Sequence, residues 1–131
     1  MIVLDTCVLI WDALEPKKLS RAAKVAIKSA NEQDGIWFCE ISLWEIAMLM
    51  NKKRLVPGTS YAQFIQLVLN SNQYHLVGMN PEIAELSTNL PSQINADPAD
   101  RIIAATAIVK KTPLVTADKN LRFAGAVTTI W

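Results

Sequence analysis

The chain has 131 residues, a length that favours one domain over residues 1–131, and hydrophobic residues make up 51% of it, enough for a compact core. Its net charge is only +1, so any contact with a polyanion has to come from a local basic patch. Two cysteines, Cys7 and Cys39, exclude a disulfide scaffold, and we interpret both as small buried residues in a reducing compartment. No basic segment precedes the apolar start and no apolar stretch reaches the ~18 residues of a membrane span, so we expect a cytoplasmic protein with no membrane partner.

Short apolar runs alternate along the chain with segments of helical character. The predicted strands are, in chain order, 2–4, 36–39, 74–79, 113–116 and 126–130. The predicted helices cover 8–14, 20–31 and 42–51, then a segment that begins at 59 or 60, a short segment from 80 that ends before Pro91, and 97–111. Cap residues followed by proline, Asn80-Pro81 and Asp97-Pro98, mark two of the helix starts.

Strands that alternate with helices require crossover connections, so the pattern predicts an α/β fold with a parallel sheet. The strands are apolar on both faces, which is typical of a sheet covered by helices on either side. Functional sites in such sheets form beyond the carboxyl ends of the strands, where the strand order reverses. Asp5 and Asp118 follow the first and fourth predicted strands, so they face each other if these strands are neighbours.

Four acidic residues are the candidate catalytic residues: Asp5, Glu45, Asp100 and Asp118. If the sheet is parallel, they converge on one of its edges. Carboxylates that lie close together raise one another's pKa, and a divalent cation that prefers oxygen ligands removes this cost. The pattern therefore indicates a Mg²⁺ or Mn²⁺ site, and such sites commonly act on phosphates.

Each of these acids also has a purely structural interpretation. Asp5 could cap the helix that follows it, and Glu45 could form a capping box with Ser42. Asp100 lies in the first turn of its helix, where its charge is favourable, and Asp118 could form an Asx-turn. Their joint placement favours the metal site, because four independent caps would have to meet at one sheet edge by chance.

Four neighbouring residues are candidate accessory residues. Thr6 follows Asp5 directly, and Asp97 either caps its helix or supports the ligands. We expect Arg101 to pair with an acid. Thr116 could orient a water or a phosphate, or it could be an ordinary β-branched strand residue.

Together these segments resemble the PIN-domain ribonucleases, and among them the VapC-type toxins of type II VapBC toxin–antitoxin pairs. The resemblance runs from end to end, and Asp97-Pro98-Ala99-Asp100-Arg101 is its most specific part. The matching stretches are 2–10, 41–47, 97–107 and 114–118. One departure concerns Asn95, because toxins with this motif often carry histidine there.

The resemblance implies a three-layer α/β/α sandwich with a mainly parallel five-stranded sheet in the order 3-2-1-4-5. It implies an endoribonuclease that depends on Mg²⁺ or Mn²⁺ and hydrolyses phosphodiester bonds with one or two ions. Asp5, Asp100 and Asp118 take the positions of metal ligands, and Glu45 that of a residue that positions the nucleophile.

The resemblance also implies an RNA substrate, a homodimer, and a small VapB-like antitoxin that blocks the acidic site within a hetero-oligomer. Candidate RNA contacts are basic: Lys52, Lys53, Arg54 and Lys119, and further Lys110, Lys111 and Arg122, although lysines are expected at helix ends in any case. Candidate antitoxin contacts are apolar: Trp11, Leu14, Trp44, Met48 and Leu55.

Other functions on a similar fold stay open. A haloacid-type phosphatase needs a second acid at the position of Cys7, and a phosphate receiver needs paired acids at the end of the first strand; neither is present. A metal-dependent DNA nuclease, or another phosphohydrolase, fits the same acids. A binding module without catalysis, whose acids serve only as caps, would need no cation.

Overall fold

The computed structural model describes all 131 residues and has five parallel strands in the order β3-β2-β1-β4-β5, as expected. The strands are β1 (Ile2–Leu4), β2 (Ile36–Cys39), β3 (Tyr74–Val77), β4 (Leu114–Val115) and β5 (Thr129–Ile130). The helices are α1 (Thr6–Leu14), α2 (Arg21–Glu32), α3 (Glu40–Asn51), α4 (Tyr61–Ser71), α5 (Pro81–Asn89), α6 (Pro98–Val109) and α7 (Lys119–Phe123), with a 3₁₀ turn at Pro16–Lys18. None of the helices combines the length and the apolar character that crossing a membrane requires.

Two hydrophobic cores lie on opposite faces of the sheet, because successive residues of a strand point to opposite sides. Ile2 and Leu4 of β1 belong to the core that includes residues of α1, α2 and α4. Val3 belongs to the other core, with residues of α5 and α6. This three-layer arrangement explains why the central strands β1, β2 and β4 are apolar throughout.

Most helix starts are where the sequence predicted them. The side chains of Ser20, Ser60, Asn80 and Asp97 each accept a hydrogen bond from a backbone N–H of the helix they precede. Helix α3 is an exception, because it begins at Glu40.

The predicted capping box at the start of α3 is wrong. Cys39 occupies the N-cap without a side-chain hydrogen bond, and Ser42 already lies inside the helix. Ser42 is fully buried, and its hydroxyl lies 2.8 Å from that of Thr6 in α1, so it joins two helices instead of capping one. Glu45 therefore does not form part of a cap. Its carboxylate accepts a hydrogen bond from the Thr6 hydroxyl instead.

The pairing of β1 with β4 positions the acids. Leu4 is in register with Val115, so both strands end at the same edge of the sheet. Asp5 follows β1 directly, and Asp118 follows β4 after two residues. Their expected proximity thus follows from the strand order.

Candidate metal centre

A cavity of about 470 Å³ opens at this edge of the sheet and is unusually rich in carboxylates. The acids that line it are Asp5, Glu45, Asp97, Asp100 and Asp118. The structure thus brings all four predicted catalytic acids together and adds Asp97 to them. The only ion pair in the protein joins Lys18 and Glu15 at 3.2 Å, so no basic side chain forms an ion pair with the acids of the cluster.

Asp5 is the most buried of these acids, with 8% of its surface exposed. Its Oδ1 accepts a hydrogen bond of 2.8 Å from the Thr6 backbone N–H, and its Oδ2 accepts one of 2.7 Å from the Thr116 hydroxyl. Burial raises the pKa of Asp5, the two hydrogen bonds oppose this, and the charges of Asp118 and Asp97 add to it. Asp5 occupies the N-cap of α1 and lines the cavity, so its structural and functional interpretations are compatible.

Glu45 enters the cavity from α3 and is held by Thr6. Its Oε1 accepts a hydrogen bond from the Thr6 hydroxyl, which also contacts Ser42. Burial raises the pKa of Glu45 to about 7, the Thr6 hydrogen bond lowers it, and the charges of Asp100 and Asp5 raise it further. A carboxyl with this pKa changes its protonation near neutral pH.

Asp97 and Asp100 come from the start of α6. Asp97 is the N-cap and accepts a hydrogen bond of 2.9 Å from the Ala99 N–H. Burial raises the pKa of Asp100 to about 6, a hydrogen bond from Asn95 opposes the rise, and the charges of Asp5, Asp97 and Asp118 add to it. One carboxylate oxygen from each of Glu45, Asp97 and Asp100 lies within 4.8 Å of the others.

This group of three carboxylates has the donor chemistry that suits a hard divalent cation. Mg²⁺ and Mn²⁺ take oxygen ligands, and a dication would offset the mutual repulsion of these carboxylates. The sequence predicted only an accessory role for Asp97, yet Asp97 belongs to the most compact group. The assignment of Asp5 and Asp118 as direct ligands stays a prediction.

Asp118 is held on both carboxylate oxygens. Its Oδ1 accepts from the backbone N–H groups of Asn120 at 2.8 Å and Leu121 at 3.2 Å, so Asp118 caps α7. Its Oδ2 accepts a hydrogen bond of 2.6 Å from Asn95. Helix α7 was not predicted from the sequence, because its five residues are too few for a periodic pattern. The available signal for this helix was a possible N-cap residue, Asp118, followed three positions later by the apolar Leu121.

The expected pairing of Arg101 with an acid is wrong. Its guanidinium donates to the backbone carbonyls of Ser87 at 2.8 Å and Leu90 at 2.6 Å, with longer contacts to the loop that ends at Asn95. Carbonyls at the end of a helix lack partners within the helix, and Arg101 supplies them at the end of α5. Its role is therefore to hold the loop before α6.

The predicted basic contacts are divided between two regions. Lys52, Lys53 and Arg54 are exposed at the end of α3, where Arg54 lines the acidic cavity. Lys119 is exposed at the start of α7.

Lys110 and Lys111 lie at the end of α6 that leads into β4, at the opposite edge of the sheet, and Lys110 lies 4.4 Å from the centre of the Trp37 ring. Arg122 lies over the ring of Phe123.

Several of the predicted apolar contacts lie beside the acids. Trp44 is 60% exposed, and together with Met48 it lines a largely apolar pocket of about 510 Å³ that Glu45 and Asp97 border.

Trp11 lines the acidic cavity and packs on Trp131 with ring centroids 5.9 Å apart. Of the others, Leu14 is exposed at the end of α1, and Leu55 packs, partly buried, against the core.

Cys7 differs from its predicted environment. Cys39 is buried as expected, but Cys7 is exposed and lines the acidic cavity. It lies in the first turn of α1, directly after Asp5 and Thr6, and this turn borders the cavity. The apolar sequence around Cys7 therefore did not reveal which way it points.

Comparisons with known proteins agree with this fold. The family model described as PIN domain matches residues 2–126, which include all five acids of the cavity. Ribonuclease VapC22 from Mycobacterium tuberculosis is 36% identical over 121 residues, which are 92% of this chain and 89% of that protein.

Solved structures share the fold at low sequence identity. VapBC2 from Rickettsia felis, bound to a DNA fragment from its promoter, matches with a TM-score of 0.71 and 15% identity over 98% of this chain and 97% of that one. FitAcB from Neisseria gonorrhoeae matches with a TM-score of 0.67 and 22% identity over 98% of this chain and 96% of that one. The chain thus belongs to the PIN-domain family, among its VapC-type members.

Proposed function

We propose that this protein is a Mg²⁺- or Mn²⁺-dependent endoribonuclease and the toxin of a toxin–antitoxin pair. The observation that carries this proposal is the convergence of five carboxylates on one cavity in which no basic side chain pairs with them. Its relative VapC22 is named a ribonuclease, and a solved neighbour from Klebsiella pneumoniae, at a TM-score of 0.66, is a toxin–antitoxin complex.

The carboxylates would hold the cation. Glu45, Asp97 and Asp100 form the most compact group, and Asp5 and Asp118 lie in the same cavity. A bound dication would supply charge neutralisation at the phosphate and Lewis acidity. Glu45 would also position the attacking water, and the hydrogen bond from the Thr6 hydroxyl fixes its Oε1 for that role.

The substrate strand would be held by basic side chains that border the acids. Arg54 lines the cavity, and Lys52 and Lys53 precede it at the exposed end of α3. Lys119 lies next to Asp118 on the other side. Such contacts to the phosphate backbone are independent of base sequence.

The antitoxin would cover the apolar pocket beside the acids. Ile41, Trp44, Met48 and Pro98 supply its apolar lining, and Glu45 and Asp97 stand at its border. An apolar segment seated there would lie alongside the carboxylates and obstruct access of RNA to them. A largely exposed tryptophan in such a pocket is typical of a residue that contributes strongly to binding.

Two further expectations belong to the same proposal. The resemblance to VapC toxins implies a homodimer, which analytical ultracentrifugation would test. It also implies a cytoplasmic location, which fractionation of the host cell would test.

Cleavage of total RNA in the presence of Mg²⁺ tests the proposed activity. We expect wild-type protein to cut RNA, Asp5→Asn to be inactive, and the exposed, remote Asp34→Asn to cut like wild type. Equal cutting by Asp5→Asn, or full activity in EDTA, would refute the proposed mechanism. Cleavage of DNA in place of RNA in a parallel assay would instead identify a DNA nuclease.

The toxin role has a separate test in cells. We expect expression of the wild-type chain to arrest growth, and co-expression of a small protein encoded beside it to relieve the arrest. Arrest by Asp5→Asn as strong as that by wild type would show that the effect does not depend on the acidic site.

A further inference from the structure

Asn95 lies in the loop between α5 and α6, and this loop is firmly held. Leu90 and Ile94 anchor it in the core, with 8% and 1% of their surfaces exposed. Arg101 donates to the carbonyl of Leu90 at 2.6 Å and reaches that of Asn95 itself at 3.4 Å. The backbone of Asn95 therefore has a defined position relative to the start of α6.

The side-chain amide of Asn95 bridges two acids that come from different elements. Its Nδ2 donates a hydrogen bond of 2.9 Å to Oδ2 of Asp100 and one of 2.6 Å to Oδ2 of Asp118. Its Oδ1 accepts a hydrogen bond of 2.5 Å from Nδ2 of Asn120. Carboxylates accept only, and the Asn120 amide donates, so the network determines which end of the Asn95 amide faces the acids.

An amide at this position has an electrostatic advantage over a charged side chain. Two carboxylates held close together repel each other, and two N–H donors reduce that cost. A lysine or arginine would do the same but would add a positive charge, which repels a dication. The neutral amide leaves the full negative charge of Asp100 and Asp118 available to attract the cation.

We propose that Asn95 is a positioning residue that holds the carboxylates of Asp100 and Asp118 together before a divalent cation binds, with Asn120 orienting its amide. This inference rests on the proposed function, because it assumes that the acidic cavity holds the cation. Asn95 itself need not touch the ion, since its Oδ1 is already engaged by Asn120. Partners of this kind, which orient metal ligands, typically change metal affinity when they are removed.

Calorimetric titration of the full-length protein with Mn²⁺ tests the inference. We expect Asn95→Ala to raise the Kd for Mn²⁺ by about tenfold, because the two acids lose their shared donor. Gln93→Ala, an exposed position in the same loop, is the matched control and should leave the Kd unchanged. A residue with a merely structural role would lower the unfolding temperature in EDTA without changing the Kd measured well below that temperature.

The outcomes separate this inference from the proposed function. Mn²⁺ binding by wild type that Asn95→Ala leaves unchanged would overturn the role of Asn95 alone. Failure of the wild type to bind Mn²⁺ at all would overturn the proposed metal site. If Asn95→Ala does not fold, the exposed Asn120→Ala decides: we expect a smaller rise in the Kd, and an unchanged Kd would refute the proposal.

Discussion

The hydroxyl of Thr116 donates a hydrogen bond of 2.7 Å to Oδ2 of Asp5 and so joins the residue after β4 to the residue after β1. The same hydroxyl accepts a hydrogen bond of 3.0 Å from the backbone N–H of Asp118. Thr116 is fully buried, so no water can replace these contacts from outside. One side chain thus fixes the relative positions of two acids of the cavity.

Replacement of Thr116 by valine tests this relationship, because it keeps the shape and removes the hydroxyl. We expect Thr116→Val to lower the free energy of unfolding by about 1–3 kcal/mol, since the buried Asp5 carboxylate and the Asp118 N–H lose a partner. Urea unfolding near neutral pH measures this change. Thr116→Ser keeps the hydroxyl and should retain more of the stability. An equal free energy of unfolding for Thr116→Val and the wild type would contradict this role of the Thr116 hydroxyl.

The raised pKa values predict how the stability of the metal-free protein depends on pH. The pKa of Glu45 rises from 4.5 to about 7, and that of Asp100 from 3.8 to about 6. Between the ordinary and the raised values, the folded state binds more protons than the unfolded chain. The free energy of unfolding therefore falls as pH rises through this window, and the full cost is present above about pH 7.

Thermal unfolding in EDTA across this pH range measures the effect. We expect Glu45→Gln to be more stable than wild type above the pKa of Glu45, by about 1 kcal/mol after allowance for solvent screening, and to flatten the pH dependence. Glu85→Gln, a substitution of an exposed acid on α5, is the control and should keep the wild-type profile. If the free energy of unfolding of the wild type rises with pH over this window, the prediction is wrong.

The fold was largely accessible from the sequence, whereas the contacts within the site were not. Apolar runs and cap residues are local signals, so strands and helix starts could be predicted, and the resemblance supplied the strand order. Ser42 and Arg101 were misassigned because their partners, Thr6 and the carbonyls at the end of α5, are distant in the chain. Asn95 was noticed only as a departure from a family pattern, since its role depends on two acids that the fold brings to it.

Divalent cations should stabilise the protein more strongly when the carboxyls of the cavity carry more negative charge. We expect saturating Mg²⁺ or Mn²⁺ to raise the unfolding temperature, with a gain of about 2.7 kcal/mol when the ion is at about a hundred times its Kd. The gain should be larger at about pH 8 than at about pH 5, because protonated carboxyls bind cations poorly. Asp100→Asn should abolish most of the gain. An equal shift in wild type and in this variant would place the ion elsewhere.

The contacts of Arg101 predict that lysine cannot replace it. The guanidinium serves the carbonyls of Ser87 and Leu90 together, and a lysine ammonium lacks the planar geometry for both. We expect Arg101→Lys to lower the free energy of unfolding by about 1–3 kcal/mol, as carbonyls at the end of α5 lose a charged donor. Urea unfolding would measure this loss. Unchanged stability would show that solvent satisfies these carbonyls.

Trp44 should contribute to antitoxin binding without contributing to folding. Its side chain is 60% exposed and borders the apolar pocket beside the acids. We expect Trp44→Ala to leave the unfolding temperature of the free protein nearly unchanged and to weaken binding of the antitoxin by about 2 kcal/mol or more, as removal of a buried aromatic anchor does. Calorimetry with the purified antitoxin measures the affinity.

Phe123→Ala, which removes another exposed aromatic ring at a position outside the pocket, is the control. If both variants bind the antitoxin as tightly as wild type does, the pocket beside Trp44 is not where the antitoxin docks.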